Sequence, residues 1–122
     1  MGKIQTYKGL IVWQRAMQLI EEIYNIAKLL PKFEMYILGS QMVRAAISIA
    51  ANIAEGWGRN FKGELNRLFG IAYGSALELE THLLICRKQY EKIDFTKAFA
   101  LLTEVQKMLS VFILKVKSNL SS

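Results

Sequence analysis

Residues 65–90, LNRLFGIAYGSALELETHLLICRKQY, carry the clearest structural signal in the chain. Along this stretch uncharged, mostly apolar residues recur at steps of three and four: Leu65, Phe69, Ala72, Ala76, Leu79, Leu83, Cys86 and Tyr90. An α-helix has 3.6 residues per turn, so this spacing places all eight on one face. The stretch predicts a long amphipathic helix over about residues 63–90 that packs against other helices.

Three further segments repeat the pattern and predict helices over about residues 10–30, 38–57 and 95–118. Pro31 ends the first helix because proline cannot donate a backbone hydrogen bond. The connections, residues 31–37, 58–63 and 91–94, are short, and short links make consecutive helices antiparallel. We therefore predict an all-α fold: one domain over residues 1–122, built as an antiparallel up-down-up-down four-helix bundle. The expected inward positions of the other three helices are Leu10, Trp13, Met17, Ile20, Tyr24 and Ala27; Leu38, Met42, Ala45, Ile49, Asn52 and Gly56; and Phe95, Ala98, Leu102, Val105, Leu109, Phe112 and Val116.

Three helices carry a second apolar stripe beside the first, which predicts contacts between subunits. A monomer that exposed these stripes would show larger apolar patches than soluble proteins usually do. The alternative is that the wide stripes only fill a thick core. The second stripes are Val12, Leu19, Ile23, Ile26 and Leu29; Val43, Ala46, Ile47, Ala50 and Ile53; and Leu101, Met108, Val111 and Leu114.

A polar cluster is expected where the second and third helices meet. Asn52 stands in the inward register one turn after Ser48, and a buried amide without a partner costs about 1–3 kcal/mol. Ser75, Glu78 and Thr81 on the third helix are the candidate partners. We interpret Ser48, Asn52, Ser75 and Glu78 as a polar lock that sets helix register, with a binding or catalytic pocket as the alternative.

Other chemistry finds little support in the sequence. One histidine, His82, and one cysteine, Cys86, do not make a metal site, so no metal or cofactor is expected. No nucleophile has a plausible base, and Gly56-Trp57-Gly58 lacks a phosphate-loop pattern, so these glycines are expected to end a helix. No charge-free stretch exceeds ten residues, and there is no signal-peptide pattern. We expect a soluble, cytoplasmic chain that is not an enzyme.

Positive charge is concentrated at one end of the predicted bundle. The chain has a net charge of +6, with 16 Lys and Arg against 10 Asp and Glu. The end that holds both termini and the second connection carries +6, the middle carries −3 and the opposite end +3. Clustered cations at one end are typical of proteins that contact phosphates, and Trp57 and Phe61 could stack on bases there if exposed. Ordinary solubilising charge is the alternative. The expected contacts are Lys8, Arg15, Arg59, Lys62, Arg67, Lys115 and Lys117.

The run from Arg44 to Arg59, RAAISIAANIAEGWGR, resembles the hallmark of the bacterial four-helix bundle proteins encoded by intervening sequences inside large-subunit ribosomal RNA genes. Further matches are Gln41, VWQRA at residues 12–16 and IAYGSALEL at residues 71–79. The family often has a Ser or Thr cap three residues before the acidic residue that opens the third helix. Here Phe61 occupies that place, and Asn60 is the candidate cap.

This resemblance implies an antiparallel four-helix bundle that assembles into a homopentamer. The family is distantly similar to the accessory protein of diversity-generating retroelements, a basic pentamer that binds nucleic acid and its reverse transcriptase. Together with the charge pattern, it favours a non-enzymatic oligomer that binds the RNA or DNA backbone with little sequence preference. The alternative is an oligomeric assembly adaptor whose partner is another protein.

Overall fold

The structure, a computed structural model, describes the backbone of residues 6–121 and the side chains of residues 6–116. This part of the chain is all-α, as predicted, and contains no strand. Each long helix packs against two of the others. After a short 3₁₀ turn at Tyr7–Gly9, the long helices are α1 (Ile11–Leu29), α2 (Lys32–Trp57), α3 (Lys62–Gln89) and α4 (Thr96–Ser121).

Helix α2 begins six residues before its predicted start, so the expected connection over residues 31–37 is wrong. Pro31 occupies the position just before the first helical residue, with φ −56° and ψ 151°. Proline is tolerated at a helix start because the N–H that it lacks would have no partner there. It ends α1 and also opens α2. A π-helical turn at Met35–Gly39 then leads into the regular part of α2, Ser40–Trp57.

The inward face predicted for α3 is confirmed. Its six central positions are fully buried, and Leu65 and Tyr90 at the two ends are half-buried. The inward series of α2 and α4 are also buried, except for the half-buried Asn52 and Phe112. These faces form one hydrophobic core cluster shared by all four helices.

In α1 the second apolar stripe is mostly buried, whereas the first stripe is buried only at Leu10 and Ala27; Leu29 of the second stripe is exposed as expected. Val12, Leu19, Ile23 and Ile26, expected at subunit contacts, are buried in the core. Met17 and Tyr24, expected in the core, are each 43% exposed. Both stripes have helical periodicity, so spacing alone cannot decide which one faces inward. The structure thus leaves a different apolar surface on α1 for any partner.

Contacts between α2 and α3 run in opposite chain directions. From α2 to α3, the Ser48 hydroxyl meets Ser75, whereas Gly56, eight residues later, lies against Phe69. This order brings the end of α2 to the beginning of α3.

Helix α2 is long and apolar enough to span a membrane by length and composition, yet 44% of its apolar window is buried inside the bundle. Met42, Ile49 and Ile53 are completely buried. The core helix of a bundle can be equally long and apolar, and the burial of these side chains accounts for the apolar composition of α2 without a bilayer.

Gly56 is required by close packing and not by a turn. A Cβ atom at this position would lie 2.8 Å from Cδ1 of Phe69 and 3.2 Å from Cβ of Leu68. The helix ends at Trp57 with Gly58 as its C-cap, as expected, although neither Gly56 nor Gly58 has a positive φ. At this end the Gly58 N–H donates to the carbonyls of Ala54 and Glu55.

We expect Gly56→Ala to lower the free energy of unfolding by about 1–3 kcal/mol, because Phe69 must move out of its packed position. Gly58→Ala is the matched control: a Cβ there has only ordinary contacts, so the change should stay within about 0.5 kcal/mol. Urea unfolding at a fixed protein concentration measures both. Equal effects would contradict the packing role of Gly56.

Candidate nucleic-acid interface

The structure brings together the three segments that were predicted to form the basic end. Phe112 of α4 lies 4.8 Å from Phe69 of α3 and 6.4 Å from Trp57 of α2, measured between ring centroids. A groove of about 680 Å³ joins the start of α1 to the last turns of α4 and is lined partly by Ile11, Val111 and Lys115. The start of α1, the α2–α3 connection and the end of α4 therefore lie together. We call this region the basic end; its described cations are Lys8, Arg15, Arg59, Lys62, Arg67 and Lys115.

Each arginine of the basic end is held by a glutamate. Arg15 donates to Glu104 at 2.6 Å, Arg59 to Glu55 at 2.5 Å and Arg67 to Glu64 at 2.7 Å. The last pair is bidentate, and its hydrogen bonds lower the pKa of Glu64 and raise that of Arg67. Both groups therefore stay charged at neutral pH, and much of the arginine charge is compensated locally.

The lysines of the basic end are different. Lys8, Lys62 and Lys115 are exposed, and none belongs to an ion pair among the residues that the structure describes. The six cations of the basic end with Glu55, Glu64 and Glu104 sum to +3, and Lys107, which lines the same groove, raises the sum to +4. The predicted +6 assigned Lys107 and Glu104 to the middle and also counted Lys3 and Lys117, whose side chains lie outside the described residues. The uncompensated positive charge is on the lysines.

The two aromatic side chains near the α2–α3 connection have opposite environments. Trp57 is half-buried against Phe112, whereas Phe61 is 77% exposed. Phe61 occupies the N-cap position of α3 and no side-chain hydrogen bond caps the helix, so the expected cap from Asn60 is wrong. Of the two candidate stacking residues, only Phe61 presents its ring to solvent.

The predicted polar lock forms in part. The hydroxyls of Ser48 and Ser75 are 2.8 Å apart, and the Asn52 amide donates to the Ser48 carbonyl at 2.8 Å and to its hydroxyl at 3.1 Å. Glu78 does not join them: it is exposed and makes no hydrogen bond to a described residue. A step of three residues falls about 60° short of a full helical turn, which carries Glu78 away from α2. The predicted partner Thr81 is also exposed and donates to Leu77.

Replacing Ser48 or Ser75 with alanine should lower the free energy of unfolding by about 0.5–1.5 kcal/mol. The double variant should lower the free energy of unfolding by clearly less than the sum of the two single changes, because the hydrogen bond between the serines is lost only once. Urea unfolding of the four proteins gives the coupling energy. Strict additivity would show that the serines do not lock the helices together. Thr81→Ala, on the exposed face of α3, is the control and should have little effect.

The single cysteine belongs to the core. Cys86 is fully buried, and this burial raises the pKa of its thiol to about 11. Metals bind the thiolate, which this environment disfavours. Among the residues that the structure describes, no group of three or more His, Cys, Asp and Glu is suited to hold a metal.

An apolar surface lies at the opposite end of the bundle, and only its Leu29 was predicted to be exposed. Leu29, Phe33, Tyr36 and Ile37 are between 63% and 75% exposed. They lie where α1 passes into α2, mostly in the segment assigned to a connection. Their near-helical spacing is visible in the sequence, but the proline in the middle of it indicated a break.

A model of the 23S rRNA-intervening sequence protein family matches residues 8–111. The chain belongs to this family. The match includes all of α1, α2 and α3 and α4 as far as Val111. It thus confirms the resemblance noted in residues 44–59. No curated protein matches the chain.

A solved structure shares the fold. It is the crystal structure of a protein of unknown function from the S23 ribosomal protein family of Bacteroides thetaiotaomicron. The TM-score is 0.74 at 24% sequence identity, and the match covers 84% of this chain and 98% of the other. At this identity the comparison supports the arrangement of helices and leaves the function to the site itself.

Proposed function

We propose that this protein is a non-enzymatic, cytoplasmic homo-oligomer, a pentamer of antiparallel four-helix bundles, that binds the backbone of RNA or DNA through its basic end. The observation that carries the binding proposal is the set of three exposed lysines, Lys8, Lys62 and Lys115, at one end of the bundle. The opposite directions of the α2–α3 contacts support the antiparallel arrangement.

Phosphate binding is the chemistry that such lysines suit. Each lysine that neutralises a phosphate releases condensed counterions, so affinity grows with the number of contacts and falls with salt. A lysine ammonium is a point charge without the planar fork that reads guanine. The arginines are engaged by glutamates, which favours low sequence specificity. In a ring of subunits whose basic ends point the same way, these contacts would be repeated in every copy.

The polar residues offer no support for an enzyme. Asn52 and Glu78 were the pair considered for a catalytic pocket. Asn52 bonds to Ser48 of its own helix, and Glu78 points away on the exposed face of α3. The cluster that remains, two serines and one amide, contains no base to activate a nucleophile.

Two unlike apolar surfaces support a ring. One is a groove of about 620 Å³ between α1 and α2, lined partly by Tyr24, Val43 and Ile47. The other is the outer face of α3, where Ile71, Leu77, Leu84 and Ile85 are between 42% and 47% exposed. When two different patches of the same chain meet, each subunit binds the next head to tail, and the assembly closes as a ring if the rotation allows.

Charge offers a direct test of this pairing. Arg44 lines the α1–α2 groove and Glu78 lies on the outer face of α3; both are exposed, and neither forms an ion pair with a described residue. We expect Arg44→Glu or Glu78→Arg alone to shift the protein to smaller species, since like charges then meet, and the double variant to restore assembly. Native mass spectrometry at several concentrations measures the subunit number. An unchanged assembly in both single variants would exclude this interface.

Nucleic-acid binding is tested by titrating labelled structured RNA and duplex DNA at several salt concentrations. We expect binding whose logarithm falls steeply and linearly with the logarithm of salt. Replacing Lys8, Lys62 and Lys115 together with glutamine should reduce the slope by about 0.7–0.9 for each lysine that contacts a phosphate.

The matched control replaces three exposed lysines of the opposite end, Lys32, Lys88 and Lys92, with glutamine. Its net charge is the same, so an equal loss in both variants would attribute binding to total charge. Binding by the wild type no tighter than to a charge-matched control protein would refute the proposed function.

One observation favours the alternative, an assembly adaptor. The exposed apolar surface of Leu29, Phe33, Tyr36 and Ile37 at the opposite end is of the kind that docks another protein. Co-purification from the native host with and without nuclease separates the two functions. A protein partner that survives nuclease treatment would favour the adaptor.

A further inference from the structure

Phe61 is more exposed than any other large hydrophobic residue among those described, at 77%. It lies in the connection between α2 and α3, between Arg59 and Lys62, and all three side chains are exposed. Phe61 neither belongs to the hydrophobic core cluster nor packs against it. A large apolar side chain held in water among cations contributes nothing to the packing of this chain, which points to a contact outside it.

The local fold explains why the ring stays outside. Phe61 has an extended backbone, φ −109° and ψ 130°, at the residue before α3 begins, and its carbonyl accepts the hydrogen bond from the Leu65 N–H. Its position is therefore set by the start of the helix. A residue such as serine or threonine would cap the helix here, whereas phenylalanine cannot.

The surface beside the ring is a shallow depression of about 540 Å³, lined by Gly58, Arg59, Asn60, Phe61 and Glu64. The Glu64 carboxylate would repel a phosphate, but it is engaged by both hydrogen bonds from Arg67. The exposed amide of Asn60 can donate to or accept from the edge of a base.

We propose that Phe61 stacks on an unpaired nucleobase while Lys62 and the other lysines of the basic end contact the flanking phosphates. This inference rests on the proposed function and adds its preferred partner: single-stranded nucleic acid or the unpaired loops of a folded one. A stacked aromatic ring needs an accessible base face, which a duplex does not offer. Every base has such a face, so the preference is for strandedness and not for sequence.

The experiment compares labelled oligo(dT), oligo(U) and a duplex of the same length at constant salt. The wild-type protein should prefer the single strands. Phe61→Ser should weaken single-strand binding about tenfold and leave duplex binding unchanged within about twofold. Serine is a good helix cap, so this variant should keep its fold. Phe61→Trp should retain the affinity, and its added tryptophan emission should be quenched by either single strand.

Phe33→Ser is the matched control, since Phe33 is 64% exposed and follows Lys32 at the opposite end. It should leave all three affinities unchanged. Equal losses from the two serine variants, or no loss from Phe61→Ser, would overturn the proposal.

The outcomes distinguish a failure of nucleic-acid binding from a failure of base stacking by Phe61. No salt-dependent binding to any probe would refute the proposed function. Salt-dependent binding without a preference for single strands would preserve that function and refute stacking. A change in subunit number on Phe61→Ser, seen by native mass spectrometry together with weaker binding, would place the ring at a subunit contact and also overturn the proposal.

Discussion

The close contact between α2 and α3 is the constraint on which the rest of the structure depends. Small residues, Ala45 and Gly56 on α2 and Ala72 and Ala76 on α3, are buried along these helices. At Gly56 the backbone approaches Phe69 so closely that even a methyl group does not fit. The Ser48–Ser75 hydrogen bond sets the register at the middle of the same interface. The position of the α2–α3 connection follows from this packing.

That connection carries the features on which the functional proposals depend. Because α2 ends and α3 begins against Phe112 of α4, the connection lies beside the last turns of α4. Lys62 thus shares one end of the bundle with Lys8 and Lys115. The arginines at this end are engaged by glutamates, and the lysines are free of described partners. The guanidinium–carboxylate pairs can stabilise the local structure of this surface, and the ammonium groups are available to bind phosphates.

Much of the fold follows from the sequence, because periodicity records burial. The inward face of α3 and the core positions of α4 were predictable residue by residue. The predictions fail where two physical signals compete. In α1 both stripes have helical spacing, and in the polar cluster the small angular step between Ser75 and Glu78 decides which side chain meets α2. At Pro31 the same residue ends one helix and starts the next. Local pattern cannot resolve these cases because the answer depends on neighbouring helices.

By itself the sequence determined the all-α class, the approximate positions of the four helices, the family and the clustering of basic residues near the chain ends and the second connection. Only the tertiary structure decided which stripe of α1 is buried, which cations are compensated by glutamates and which aromatic ring reaches solvent. Helical periodicity depends only on the sequence of one segment, so it can be recognised without the tertiary structure. Exposure and charge compensation depend on atoms brought together from distant segments, as Arg15 and Glu104 are.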